Sequence, residues 1–161
     1  MKRFFIGVDL SLTNTGFMCI DSEAYIVNSS NIFTISKDII EVRLQKIQKS
    51  LEELLTEERP EYVYVEGLSF QSNGRAVAQL GALHFILRIF LYQKGIRYVI
   101  IPPLTLKKFV TGKGQGKKEL MLKEVYKRWG VDLDDNNLAD AYGLARMALE
   151  DFVNGCTRES H

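Results

Sequence analysis

The sequence predicts an α/β domain on a five-stranded mixed sheet, three antiparallel strands followed by parallel ones, flanked by helices. Three observations lead there. Short β-favouring runs crowd the first 33 positions, amphipathic helical periodicity begins near residue 38, and strand-length apolar runs then alternate with helix-length segments. A chain of 161 residues has room for one sizeable core, so residues 1–161 are expected to form one domain. With 46% hydrophobic and 25% charged residues, 3 Pro, and 12 Gly placed singly, disordered and fibrous classes are excluded.

The elements follow in order. Residues 3–8 are apolar and β-favouring; Leu10-Ser11-Leu12-Thr13-Asn14-Thr15-Gly16 is a polar turn before a second run at 17–20, and the pair reads as a hairpin. Tyr25-Ile26-Val27 and Ile32-Phe33 supply a third strand. From 38 to 59, Ile40, Leu44, Ile47, Leu51 and Leu54/Leu55 recur at helical spacing, and Pro60 is the stop. Residues 61–67 form a buried strand that ends in a carboxylate, Glu66. Between 74 and 92 apolar side chains nearly encircle a helix, so most of its sides need cover. A second copy of the chain is the expected cover away from the sheet, which predicts a homodimer. The most apolar stretch, 82–92, carries His84 and Arg88 and falls short of the ~18 to 20 residues that span a bilayer, so no membrane association is expected. A fifth strand at 97–101, a short helix at 104–110, a glycine-rich loop at 111–116 and helices at 117–129 and 137–153 complete the chain. This order fits an RNase H-like layout.

Several chemistries are excluded early. Cys19 and Cys156 form no CxxC pair and His84 and His161 lie far apart, so a zinc site is not expected and His84 reads as a packing residue. The acidic Asp9 interrupts what would be the apolar stretch of a signal peptide, which favours the cytoplasm. The formal net charge is +1, yet residues 107–128 hold eight basic side chains against Glu119 and Glu124, leaving the remainder acidic. The loop Gly112-Lys113-Gly114-Gln115-Gly116-Lys117-Lys118 is too short in glycine spacing for a P-loop and has Lys118 where Ser or Thr would stand.

Three carboxylates occupy unusual positions. Asp9 follows Phe5-Ile6-Gly7-Val8, Glu66 ends Tyr62-Val63-Tyr64-Val65, and Asp140 lies between Ala139 and Ala141 in an otherwise apolar helix. An isolated buried carboxylate is costly and calls for a partner, a proton or a metal. If the first and fourth strands are neighbours and the last helix crosses their ends, all three converge. Such a set suits Mg²⁺, which favours carboxylates together with substrate phosphate oxygens. Two ions roughly 3.5 to 4 Å apart can activate a water and stabilise the leaving oxygen of a phosphodiester. Asn137, three residues before Asp140 on the same helix face, can add an amide oxygen; Asp134 and Asp135 compete for that role or serve as helix caps.

Ile6-Gly7-Val8-Asp9 with Thr15-Gly16, then Val65-Glu66, then Asn137-Leu138-Ala139-Asp140-Ala141 resemble, as an ordered set, the RuvC-type Holliday junction resolvases of the RNase H-like superfamily. The resemblance runs from about Phe4 to Ala148. Segments 73–81 and 110–118 are similar to the family's dimer helix and basic DNA-contacting stretch. Asn137 stands where the bacterial pattern has aspartate, which is more similar to phage-encoded relatives, and Leu10-Ser11 replaces a common Pro-Gly. The resemblance implies a homodimer in the host cytoplasm that nicks four-way DNA junctions symmetrically, leaving 5′-phosphate ends. Its implied site is Asp9, Glu66, Asn137 and Asp140 holding two Mg²⁺, with Mn²⁺ able to substitute. Arg75, Lys107, Lys108, Lys113, Lys117 and Lys118 are the implied phosphate contacts, and Phe70 is a candidate to stack on an unpaired base. Alternatives are an RNase H-type nuclease of the same fold and a junction-binding module with weakened catalysis. The turn 9–16 also resembles that of actin-like ATPases and sugar kinases, but their duplicated fold needs a longer chain.

Overall fold

The computed structural model describes residues 1–69, 74–114, 116, 117, 119–156 and 158. The elements run β1 (Phe4–Asp9), β2 (Asn14–Asp21), β3 (Ile26–Phe33), α1 (Ile40–Glu58), β4 (Tyr62–Glu66), α2 (Gly74–Gln93), β5 (Tyr98–Ile101), α3 (Pro103–Thr111), α4 (Glu119–Trp129) and α5 (Asn136–Val153). The sheet order is β3-β2-β1-β4-β5, with β1–β2 and β2–β3 antiparallel and β1–β4 and β4–β5 parallel. The expected fold class and strand directions stand.

Two boundaries differ from expectation for physical reasons. β2 begins at Asn14 rather than after Gly16, because Asn14 and Thr15 pair with Phe33 and Ile32 across the hairpin. The turn is thus confined to about four residues. β3 runs unbroken through the polar Asn28-Ser29-Ser30-Asn31, whose backbone is held by the β2 ladder even though the side chains favour turns. α1 stops as anticipated: Arg59 is left-handed (φ 47°), its amide returns to Leu55 O, and Pro60 follows. α3 starts on Pro103, whose fixed φ and missing donor suit a first helical position, and closes on left-handed Gly112.

Helices cover both faces of the sheet. One core layer joins Ile6, Val8, Phe17, Cys19, Val63 and Val65 to α1 and α2; the other joins Phe5, Met18, Ile20, Tyr64 and Val99 to α3, α4 and α5. The alternation along β1 sends successive residues to opposite layers, so Asp9 at its end is in step with Phe5 and Gly7, on the face that α5 covers. α5 is buried along most of its length and packs across β1 and β2.

An 18-residue stretch of α2 reaches a mean hydropathy of 1.3, enough by length and composition to cross a membrane, so the apolar run is longer than the 82–92 stretch singled out in the sequence. In the structure its inner side is committed to the core through Leu83, His84, Leu87, Phe90 and Leu91. His84 is packing, as expected; burial, aided by the charge of Arg88, pushes its pKa down to about 4 and keeps the ring neutral near pH 7. Phe85, Ile89 and Tyr92 remain exposed on the outer side.

Candidate active site

Asp9 and Glu66 come together because parallel strands end at the same edge. Val8 pairs with Val65, so the next residue on each strand places a carboxylate side by side at the carboxyl end of the sheet. Open α/β sheets bind ligands at that edge, beyond the last ladder hydrogen bonds. Both side chains are half-buried.

Asp140 arrives on α5, and glycines determine how close it comes. A methyl group at Gly7 would overlap the Ala141 carbonyl oxygen and lie 2.7 Å from the Ala145 amide nitrogen. One at Gly16 would lie 2.7 Å from the Asn137 carbonyl carbon. The helix backbone therefore rests directly on the backbones of β1 and β2. Gly16 pairs with Asp9 in the β1–β2 ladder, so this contact seats the start of α5 beside the end of β1. As a result Asp9, Glu66 and Asp140 each offer an oxygen within 4.8 Å of the others.

Fully ionised, each pair at that spacing repels by roughly 3 kcal/mol at an effective dielectric of about 20. That is a large fraction of a domain's total stability, and a divalent cation converts the repulsion into attraction. The donors are all hard oxygens, which fits Mg²⁺ or Mn²⁺ and not a thiolate- or imidazole-dependent metal.

The remaining predicted site residues separate by role. Asn137 is the second residue of α5, with its carbonyl against Gly16, one turn before Asp140. Asp135 is the helix cap: its Oδ1 accepts from the Leu138 amide at 2.9 Å and its Oδ2 from Asn14 Nδ2 at 3.2 Å. Asp134 is exposed. Neither belongs to the acidic cluster, so the capping reading of Asp135 stands. Phe70 and Lys118 lie outside the described residues.

Sequence reasoning missed what holds the turn after Asp9. Thr15, fully buried, donates its hydroxyl to Ser11 O at 2.8 Å and accepts the Ser11 amide at 3.1 Å. From α1, Arg43 donates to Leu12 O at 2.6 Å and to Thr34 Oγ1 at 3.1 Å, while Thr34 Oγ1 also bonds Leu12 O. The threonine in the polar stretch after Asp9 was the available signal; the Arg43 clamp spans 31 residues and left none.

The basic segment divides in two. Lys108, Lys113 and Lys117 are exposed, as is Arg75 at the start of α2. Lys107 donates to Gly116 O and Arg128 to Phe109 O and Val110 O, so these two brace the loop and the end of α3. Val110 packs 2.7 Å from where a Cβ of Gly143 would stand, which sets the end of α3 about one helical turn from Asp140.

Residues 5–147 match the family model described as crossover junction endodeoxyribonuclease RuvC. The chain belongs to the RuvC family. A curated relative of that name from Rickettsia typhi is 31% identical over 89% of this chain and 95% of its own. Among solved structures, Thermus thermophilus RuvC superposes with a TM-score of 0.79 at 20% identity, covering 95% of this chain and 97% of the other. The T. thermophilus RuvC structure in complex with Holliday junction substrate gives 0.78, again at 20% identity, over 96% and 95%. These likenesses establish a shared RuvC fold, and the family is one of divalent-metal-dependent nucleases whose catalytic chemistry the acidic cluster fits.

Proposed function

We propose that the chain, acting as one nuclease domain over residues 1–161, resolves four-way DNA junctions by paired symmetrical nicks. The observation that carries this reading is the convergence of Asp9, Glu66 and Asp140 at the sheet edge of a RuvC-family fold. Asp9, Glu66 and Asp140 would hold two Mg²⁺, with Mn²⁺ able to substitute: Asp9 would serve both ions, Glu66 and Asp140 one each, and the Asn137 amide would assist. When bound, the ion pair supplies an activated water and a stabilised leaving 3′ oxygen, so that the ends are 5′-phosphate and 3′-hydroxyl. Asn137 brings an oxygen without charge, so Asn137→Asp tightens Mg²⁺ binding.

The chain's other residues bring the phosphodiester to that site. Lys108, Lys113 and Lys117, joined by Arg75 and Lys118, meet backbone phosphates, with Lys107 holding their loop in shape. Lys113→Ala combined with Lys117→Ala should make the slope of log K against log salt shallower by about 2. An unchanged slope in a junction-binding titration means that the loop does not meet phosphate. Phe70, four positions after Glu66 in the sequence, stacks on an unpaired base near the crossover.

Symmetrical nicks require two sites, and the exposed Phe85, Ile89 and Tyr92 on α2 are covered by the same helix of a second copy rather than by lipid. A charge there separates the copies: Ile89→Glu or Phe85→Glu should sediment as a folded monomer at micromolar concentration. Leu87 is unsuitable for this test because it is 3% exposed and faces the core. A persistent dimer in both variants moves the interface elsewhere. The setting is the cytoplasm, where the DNA substrate lies.

Cleavage of a synthetic four-way junction in Mg²⁺, beside linear duplex and an RNA–DNA hybrid, tests the whole reading. Paired nicks confined to the junction support it. Preference for the hybrid moves the chain to an RNase H-type activity, and tight junction binding without cutting in Mg²⁺ or Mn²⁺ makes it a binding module.

A further inference from the structure

The start of α5 carries Asn137 and Asp140, and its contact with the sheet at Gly16, through the Asn137 carbonyl and Cβ, sets how near it comes. A side-chain chain adds a directional link at that end of the helix. Asn31 Nδ2 on β3 donates to Asn14 Oδ1 at 2.9 Å; Asn14 Nδ2 on β2 donates to Asp135 Oδ2 at 3.2 Å; and Asp135 Oδ1 accepts the Leu138 amide at 2.9 Å. The line runs from the edge strand through β2 into the first turn of α5. It is anchored in the rows that hold the site, since Asn31 pairs with Gly16 and Gly16 with Asp9.

We infer that Asn14 and Asp135 are positioning residues for metal capture, a hydrogen-bonded strap that sets the azimuth of α5 and with it the Asp140 carboxylate against Asp9 and Glu66. The inference rests on the metal-dependent nuclease reading. Both oxygens of Asp135 are engaged, one on the helix and one on the sheet, so its charge reinforces the strap and the positive end of the helix dipole. Ligand oxygens must fall within a few tenths of an ångström of their proper distances, and outer partners that orient ligands are commonly worth ten- to a hundredfold in metal affinity. A strap of three hydrogen bonds, with no ligand of its own, belongs at the lower end of that range. Asn31 is the outer link and has the smaller effect.

Asn14→Ala cuts the strap without touching the helix cap. Asp135→Ser cuts it while keeping a side chain that caps Leu138, which guards against loss of the helix itself. Mn²⁺ titration calorimetry on both variants, the double variant and the wild type is the test, with junction cleavage and thermal midpoints alongside. Each single variant should weaken Mn²⁺ about tenfold. Junction binding in EDTA should be unchanged, and the double variant should be no weaker than either single, since both remove one link. Wild-type Mn²⁺ affinity in both singles, with or without a lower thermal midpoint, overturns the strap, as does multiplication of the two effects. A wild-type protein that binds Mn²⁺ but cuts no junction overturns the nuclease reading instead and leaves the Mn²⁺ comparison to decide the strap.

Discussion

Asp9→Asn is expected to abolish junction cleavage while leaving junction binding intact. The substitution keeps shape and removes one negative charge from the group expected to serve both ions. Metal-supplied stabilisation of the developing charge is worth several kcal/mol, and each 1.36 kcal/mol is a decade of rate, so cleavage should fall about a thousandfold or more. Binding rests on lysines elsewhere and is spared. Stability should move the other way. With one of three carboxylates neutralised inside 4.8 Å, the metal-free protein loses repulsion and its thermal midpoint should hold or rise. Gel cleavage, junction titration and a thermal melt on one preparation read all three. Equal loss of binding and cutting would sink the assignment of Asp9 to chemistry.

Gly7→Ala should produce the largest loss of stability in the chain. The added methyl collides with the Ala141 carbonyl and comes within 2.7 Å of the Ala145 nitrogen, and both are helix backbone that no rotamer change can move. Relief requires lifting α5 off β1, which opens the layer containing Tyr142, Leu144, Ala145 and Ala148. Overpacking of this kind costs about 3 kcal/mol or more, equivalent to roughly 6–12 °C in thermal midpoint for a chain of this size. Whatever folds will carry Asp140 displaced, and because about 1 Å of misplacement can cost a hundredfold in rate, cleavage should fall further than the folded fraction does. Gly16→Ala acts by the same collision at Asn137 and should show the milder form. A melt and a cleavage rate near wild type for Gly7→Ala would mean that α5 does not rest on β1 as described. Because the defect is steric and the Asp9 defect electrostatic, excess Mn²⁺ should partly rescue Gly7→Ala and not Asp9→Asn.

The contrast between those two glycines and the three carboxylates shows what could be read from the chain. The carboxylates were legible because each breaks a local pattern, ending an apolar strand or interrupting an apolar helix. The glycines were not, since a single glycine in a strand gives no sign of which backbone approaches it. The basic segment was legible as charge, but the division of labour within it was not: Lys107 and Arg128 look like their neighbours and yet spend their donors on the carbonyls of Gly116, Phe109 and Val110. α2 was recognised as apolar all round, whereas its inner and outer residues became distinguishable only once the sheet was in place.

What the sequence by itself determined was the order of elements, the strand directions and the identity of the acidic residues, because hydrophobic period, proline and glycine stops, and misplaced charges are local properties of a few consecutive residues. Tertiary structure alone decided the distances: which strand lies beside β1, how near α5 comes, and that Asp135 joins a strap to Asn14 rather than the acidic cluster. Those depend on contacts such as that of Asn14 with Asp135, 121 positions apart, where the energy of each pairing is settled by packing and backbone approach and leaves no periodic trace in the chain.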